Sequence, residues 1–230
     1  MTELQYRPNV VIVICDDLGM LDLGCYGGRL IATPTLDQFA AGAARFNRMY
    51  SGGPTCTSAR AALLTGRVAP RVGAAVPLFP GQPGGLLQTE KSLARILDAN
   101  GYATAIIGKW HLGEIEENGP RKHGFQSYYG LPYSNDMVPL RVFDNETMVD
   151  ADPDVSKLTA EYTRRAVSFI QTTPRSTPYL LYLAHTMPHQ PISPSAEFKG
   201  RSKAGSYGDV VEEIDDSFGR VLAAIETRGD

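Results

Sequence analysis

Cys56 stands four residues before Arg60 and just ahead of the apolar run Ala61-Ala62-Leu63-Leu64, so the thiol falls at the N-terminus of an expected helix. Unpaired N–H groups and the helix dipole favour an anion there, and the same field favours a thiolate, which makes a nucleophile one reading of the position. Arg60, within the first turn, can swing back to pair with an anionic ligand or substrate. The plainer reading is a packed cysteine beside a solvated arginine, and it holds unless other polar groups converge on the same place. Three further segments carry such groups. Asp16-Asp17 is a pair of carboxylates that repel unless a cation or proton separates them, and hard oxygen ligands suit calcium or magnesium. Its alternative is a turn in which one aspartate caps and the other is solvated. Lys109 and His111 are two apart, so extended backbone aims both to one side and Trp110 to the other. His185 and His189 lie in a segment that Pro188 and Pro191 can hold rigid. His123, followed by Gly124-Phe125, has no comparable setting and is read as structural.

The segments with Asp16-Asp17, Lys109 to His111 and His185 to His189 each follow a strand-like run. Val10 to Cys15 (VVIVIC) is unbroken and mostly β-branched, as expected of a strand covered on both faces, with Cys15 a small core residue. Tyr102 to Ile107 and Tyr179 to Ala184 read as two more strands. Between them, helical spacing marks Leu36, Phe39, Ala40 and Ala43 after Thr33-Pro34, then Ser58 to Leu64, ended by Thr65-Gly66. A third helix carries Leu93, Ile96 and Leu97, with Thr89 as its expected cap, and a fourth runs from Lys157 to Thr172. A long last helix shows its apolar face from Tyr207 to Ile225. Ala69 to Gly85, rich in Pro and Gly, is expected to be an irregular surface excursion. Strands alternating with helices predict an α/β fold, a mostly parallel sheet with helices on both faces. In such sheets the ligand site lies beyond the carboxyl ends of the strands, where the polar groups fall. A crossover helix normally delivers the chain to another strand, so the chain reads as truncated before its last strands.

Composition narrows the function classes. The 22 basic and 25 acidic side chains of the 230 residues give a net charge of -3, with pI near 5.8 and no concentration of lysine or arginine. A nucleic-acid surface is therefore not expected. No run of eighteen apolar residues and no export signal is present, which predicts no membrane partner and leaves the compartment open. Cys15, Cys25 and Cys56 are too few and too irregularly spaced for a disulfide framework or a thiolate zinc site.

Cys56-Thr57-Ser58-Ala59-Arg60 followed by Ala61-Ala62-Leu63-Leu64-Thr65-Gly66-Arg67 resembles the signature of the type I sulfatases. Pro8-Asn9-Val10 through Asp17, Thr33 to Asp37, Gly108 to Gly113, Leu131 to Asp136 and Pro188-His189 resemble segments of that family in the same order. The resemblance runs from about Arg7 to the final helix. It implies an alkaline-phosphatase-like fold and a sulfatase N-terminal catalytic domain over residues 1–230, incomplete at its C-terminus. It also implies hydrolysis of small-molecule or carbohydrate sulfate esters. Cys56 would be oxidised to formylglycine by a formylglycine-generating enzyme. One hydroxyl of the hydrated aldehyde would attack sulfur and the other would later expel sulfate. Asp16 and Asp17, with the group at Cys56, would bind a calcium ion. Arg60 and Lys109 would neutralise the hydrate and sulfate oxygens, and His111 would handle the hydrate's proton. Lys109 and His189 would contact sulfate and assist the leaving oxygen, and Ser134 would lie near the sulfate.

Two departures from the family pattern qualify these expectations. Ser58 stands where the family has proline or alanine, and an Asp-Asn metal pair and a lysine are expected only beyond residue 230. Taken alone, the chain is expected to bind calcium weakly and turn over poorly. A phosphate or phosphonate ester hydrolase on the related fold, or a non-catalytic anion-binding relative, are the alternatives. The sulfated alcohol is expected to be chosen by loops such as Ala69 to Gly85 and Gly113 to Lys122.

Overall fold

A computed structural model describes residues 7–229. Strand β1 (Val10–Cys15) opens the sheet, and helices α1 (Pro34–Ala41), α2 (Cys56–Thr65) and α3 (Leu93–Ala99) follow. Next come β2 (Ala103–Gly108), the one-turn helix α4 (Ile115–Asn118), and three short strands, β3 (Ser127–Gly130), β4 (Val142–Asp144) and β5 (Thr147–Asp150). Helix α5 (Leu158–Thr172), strand β6 (Tyr179–His185) and helix α6 (Gly205–Arg228) complete it.

The sheet order is β1-β6-β2-β3-β4-β5; the first four strands run parallel, and the last two pairings, β3–β4 and β4–β5, are antiparallel. Both faces are covered, which is why the central strands carry no polar alternation. Ile106, Leu180 and Tyr182 pack with Ala61, Leu64 and Ala94 of α2 and α3 on one face. Ala105, Leu181 and Leu183 pack with Tyr162, Ile170 and Val221 of α5 and α6 on the other. This is the expected α/β class.

Registry sets the active end. Cys15 pairs with His185, and Gly108 with Ala184, so the carboxyl ends of β1, β6 and β2 stop at one level. Gly108 has φ 114, and a Cβ there would run into the Ala184 backbone, so glycine lets β2 lie close against β6 as the chain leaves for Lys109.

Helix ends differ from expectation in two places. Ser92, not Thr89, caps α3, its side chain accepting from Arg95 N–H. Helix α1 begins after Thr33 as predicted, but its free N–H groups are met from afar. Asp215 of α6 accepts Thr35 N–H at 3.1 Å and Leu36 N–H at 2.8 Å. The expected surface excursion Ala69 to Gly85 is irregular, yet it buries Ala69, Val72, Ala74 and Leu78. It is also tied to the Gly113 loop, through a Gly85–Gly113 bridge and through Leu86 N–H to Leu112 O at 2.9 Å. The antiparallel extension β3 to β5 had no forecast in the sequence. Its strands are three or four residues long, too short for a period to register.

Candidate active site

Asp16, Arg60 and Lys109 meet beneath the carboxyl edge of the sheet, and all three are buried. Each comes from a different element: Asp16 from the end of β1, Lys109 from the end of β2, Arg60 from the first turns of α2. The Lys109 ammonium donates to Asp16 Oδ2 and, at 2.8 Å, to Ser134 Oγ. Arg60 donates to the Lys109 carbonyl at 2.7 Å and places its second amino group 3.6 Å from Asp16 Oδ2. Burial opposes ionisation of Asp16, but the charges of Arg60 and Lys109 overcome it and hold that carboxyl below the usual range. Burial, aided by Arg60, lowers the Lys109 ammonium against the pull of Asp16.

The charge count is uneven. Two buried cations face one buried carboxylate, and Arg60 Nε has no hydrogen-bond partner among the described residues. An uncompensated buried charge costs several kcal/mol, so the arrangement favours entry of an anion.

Cys56 shares this place. A cavity of roughly 430 Å³ is lined by Cys56, Arg60, Asp16, Cys15 and the segment Met49 to Gly52. Cys56 is the first residue of α2, and the turn before it is held by a reciprocal cap. Thr55 N–H donates to Ser58 Oγ at 3.1 Å, and that hydroxyl lies 2.9 Å from Thr55 Oγ1. Ser58, read in the sequence only as a departure from a family pattern, therefore fixes the geometry of the helix start. Cys15 faces both this cavity and Met187, Val210 and Ile214; burial pushes its thiol up to about 12, as befits a small packed residue.

Asp17 does not share the cavity with Cys56. It takes φ 67, its side chain is 68% exposed, and it lines an adjoining depression with Asp136, His189 and Tyr207. Its Oδ2 lies 3.7 Å from His189 Nε2. His189 Nδ1 is 2.6 Å from the Gln190 carbonyl, which can only accept, so the proton sits on Nδ1 and Nε2 is left toward Asp17. Asn135, whose amide donates to the carbonyls of His189 and Pro191, steadies that loop; its segment was marked by resemblance, but of its residues only Ser134 was given a role. Ser134 is buried between the two pockets, with Lys109 on one side and His189 Nδ1 at 3.5 Å on the other.

His111 is wholly buried, and burial, then the charge of Lys109, pushes its pKa down to about 3. It leaves β2 through a left-handed turn, φ 57, rather than the extended path expected from its spacing to Lys109. Trp110 goes the other way, as expected, into the core beside His123 and Phe125. His123 is structural: it stacks 5.6 Å from Trp110. His185 is also turned from the site, 3.2 Å from Ser217 Oγ of α6.

Among the described residues no cluster of three or more His, Cys, Asp or Glu forms a metal-ligand set. Asp16 and Asp17 offer adjacent carboxylates, a share of the six to eight oxygens that calcium takes, and Asp16 Oδ2 is already engaged by two cations. The fit to calcium is therefore partial. No helix among the described residues is long and apolar enough to cross a membrane.

Comparison with known proteins agrees with this geometry. The chain is 37% identical over 247 residues to N-acetylgalactosamine-6-sulfatase of Rattus norvegicus, covering 96% of this chain and 47% of that protein. It is 36% identical over 249 residues to arylsulfatase A of Homo sapiens, covering 96% and 49%. The crystal structure of Ps i-CgsB in complex with k-i-k-neocarrahexaose superposes with a TM-score of 0.87 at 26% identity, covering 97% of this chain and 56% of that one. The chain thus spans about half the length of the curated relatives it matches. The family model described as Sulfatase matches residues 8–230, and the chain belongs to the sulfatase family.

Proposed function

We propose that the protein hydrolyses sulfate esters, with residues 1–230 forming the N-terminal part of its catalytic domain. The observation that carries this reading is the buried excess of positive charge at Arg60, which lines the cavity with Cys56, and at Lys109 behind it on Asp16. A sulfate group supplies the missing negative charge, and its oxygens match the idle donors of Arg60 and Lys109.

Oxidised to formylglycine by a formylglycine-generating enzyme, Cys56 would supply a hydrated aldehyde as the nucleophile toward sulfur. Calcium, held in part by Asp16, and by Asp17 once that side chain turns in from the neighbouring pocket, would supply positive charge beside it. The protein's own groups then divide the remaining work. Arg60 and Lys109 orient the sulfate, and Ser134 holds the Lys109 ammonium in place. His111 is neutral, with its proton on Nε2 facing the Leu78 carbonyl at 2.9 Å, so its Nδ1 lone pair is left to accept a hydrogen bond from the hydrate and orient that proton. His189, on the opposite side of Ser134, serves the leaving oxygen.

The alcohol is proposed to be a carbohydrate. N-acetylgalactosamine-6-sulfatase and the neocarrahexaose complex are relatives whose names carry sugars. Asp136 and Tyr207 line the depression next to His189 and offer hydroxyl-binding groups.

Two measurements test the reading. Peptide mass analysis of residue 56, from a host with the maturation enzyme, is expected to find the aldehyde. An unmodified thiol there removes the nucleophile from the scheme. Turnover of an aryl sulfate well above the matching aryl phosphate, with calcium present, is the second expected result, and the reverse preference selects a phosphate ester hydrolase.

A further inference from the structure

Thr57, next to Cys56, sits in the motif without a role assigned to it. Its side chain is completely buried, and its hydroxyl makes two hydrogen bonds that both leave the helix. The O–H donates to the His111 carbonyl at 3.0 Å, and the oxygen accepts Leu78 N–H at 3.4 Å. The carbonyl of the same Leu78 lies 2.9 Å from His111 Nε2. Three segments far apart in sequence thus close a ring: the start of α2, the loop at Leu78, and the turn after β2.

The ring has a chemical consequence. Because the Leu78 carbonyl can only accept, Nε2 of neutral His111 must carry the hydrogen, and the lone pair falls on Nδ1. That Nδ1 is buried and has no partner among the described residues. His111 also occupies a left-handed backbone conformation that a side-chain-bearing residue holds only when its surroundings enforce it. Pro132 O takes its N–H at 2.9 Å, and Thr57 takes its carbonyl. A valine would fill the same volume as Thr57, so the hydroxyl alone performs this task.

We propose that Thr57 is a positioning residue for His111. Through one hydroxyl it holds the His111 carbonyl and the Leu78 N–H together, and so sets the tautomer that leaves the Nδ1 lone pair without a partner. Its kinetic consequence rests on the sulfatase reading; the clamp itself does not.

The test compares Thr57→Val and Thr57→Ser with the unaltered protein, in samples labelled with 15N-histidine and assigned through His→Gln variants. In the unaltered protein His111 is expected as the Nε2–H tautomer with slow hydrogen exchange. Finding the Nδ1–H tautomer overturns the proposal without any variant. Thr57→Val is expected to mix the tautomers and speed Nε2–H exchange by about 10-fold or more, and Thr57→Ser to restore both. With an aryl sulfate, kcat of Thr57→Val is expected to fall by about 10- to 100-fold at nearly constant KM, less than the roughly 10²- to 10⁴-fold a positioned acid–base group itself supplies because Thr57 acts through His111. An unchanged His111 signal in Thr57→Val overturns the clamp. A shifted signal with unchanged kcat overturns the role in the reaction. Absence of turnover in unaltered full-length protein that carries the aldehyde at residue 56 refutes the sulfatase reading instead, and the 15N signals then decide the clamp by themselves.

Discussion

Arg60 and Arg165 each reach a carboxylate across the same sheet, and their surroundings make the two clusters different objects. Arg165 of α5 pairs with Asp144 at 2.9 Å and Glu161 at 2.7 Å, lies 3.5 Å above the Tyr129 ring, and has Arg164 beside it on Glu161. Two cations meet two anions there, and all four side chains keep a quarter or more of their surface in water. Around Arg60, two cations meet one carboxylate and hardly any water reaches them. The first cluster is self-sufficient and screened. The second is incomplete, and the low dielectric around it makes that incompleteness costly. Ion pairs as such say little about function; burial together with an unbalanced sum says a great deal.

The comparison can be broken most directly at the carboxylates. Asp16→Ala is expected to cost about 3 kcal/mol or more, because it leaves two buried cations unpaired, whereas Asp144→Ala should cost no more than about 1 kcal/mol. Urea unfolding of both variants checks this, and equal costs would erase the distinction between the clusters. Added sulfate should recover part of the loss in Asp16→Ala relative to chloride at matched ionic strength.

Catalysis sharpens it next. Arg60→Ala is expected to lower kcat/KM for an aryl sulfate by about 10²- to 10³-fold, the worth of a donor aimed at developing charge. Arg165→Ala, assayed in parallel, should stay within about twofold.

Acid brings a smaller and graded effect. His111 is held at about 3, and His123 and His185 at about 4, all by burial and against an ordinary value of 6.5. As pH falls below 6.5 the unfolded chain takes up protons that the folded chain refuses. Stability is therefore fully present above that pH and lost progressively toward pH 4, by up to about 1.4 kcal/mol per pH unit for each histidine. Unfolding free energies measured between pH 7 and pH 5 should show this slope, and His185→Gln should reduce it. A flat profile would mean that these rings are solvated. The smallest effect concerns Ser58, whose replacement by alanine is expected to cost about 1 kcal/mol through loss of the helix cap, measurable as a lowered Tm.

Much of the architecture was readable before any coordinates. The three long strands carry mainly apolar runs, broken only by Thr104 in β2, and their polar followers Asp16, Lys109 and His189 do fall at one edge, because parallel strands in register end together. Elements whose partners lie far away in sequence were not readable. The cap of α3 fell on Ser92 by a local choice between two nearby hydroxyls, since a cap is decided by which one reaches the free N–H, whereas the N–H groups of α1 are met by Asp215 from 180 residues away. The stretch after Ala69 looked like solvent-facing loop because proline and glycine mask the burial of Val72 and Leu78, and with it went the carbonyl that orients His111.

Residue types and order alone determined the α/β class, the edge at which chemistry gathers, and the placing of a thiol and an arginine at a helix start, since these depend on local periodicity and on motif spacing. Only the tertiary structure decided that Asp16 is buried between two cations while its neighbour Asp17 turns outward to a different pocket. It also decided which nitrogen of His111 is left open. Those outcomes depend on desolvation and on hydrogen-bond partners tens of residues away, quantities that no single stretch of chain contains.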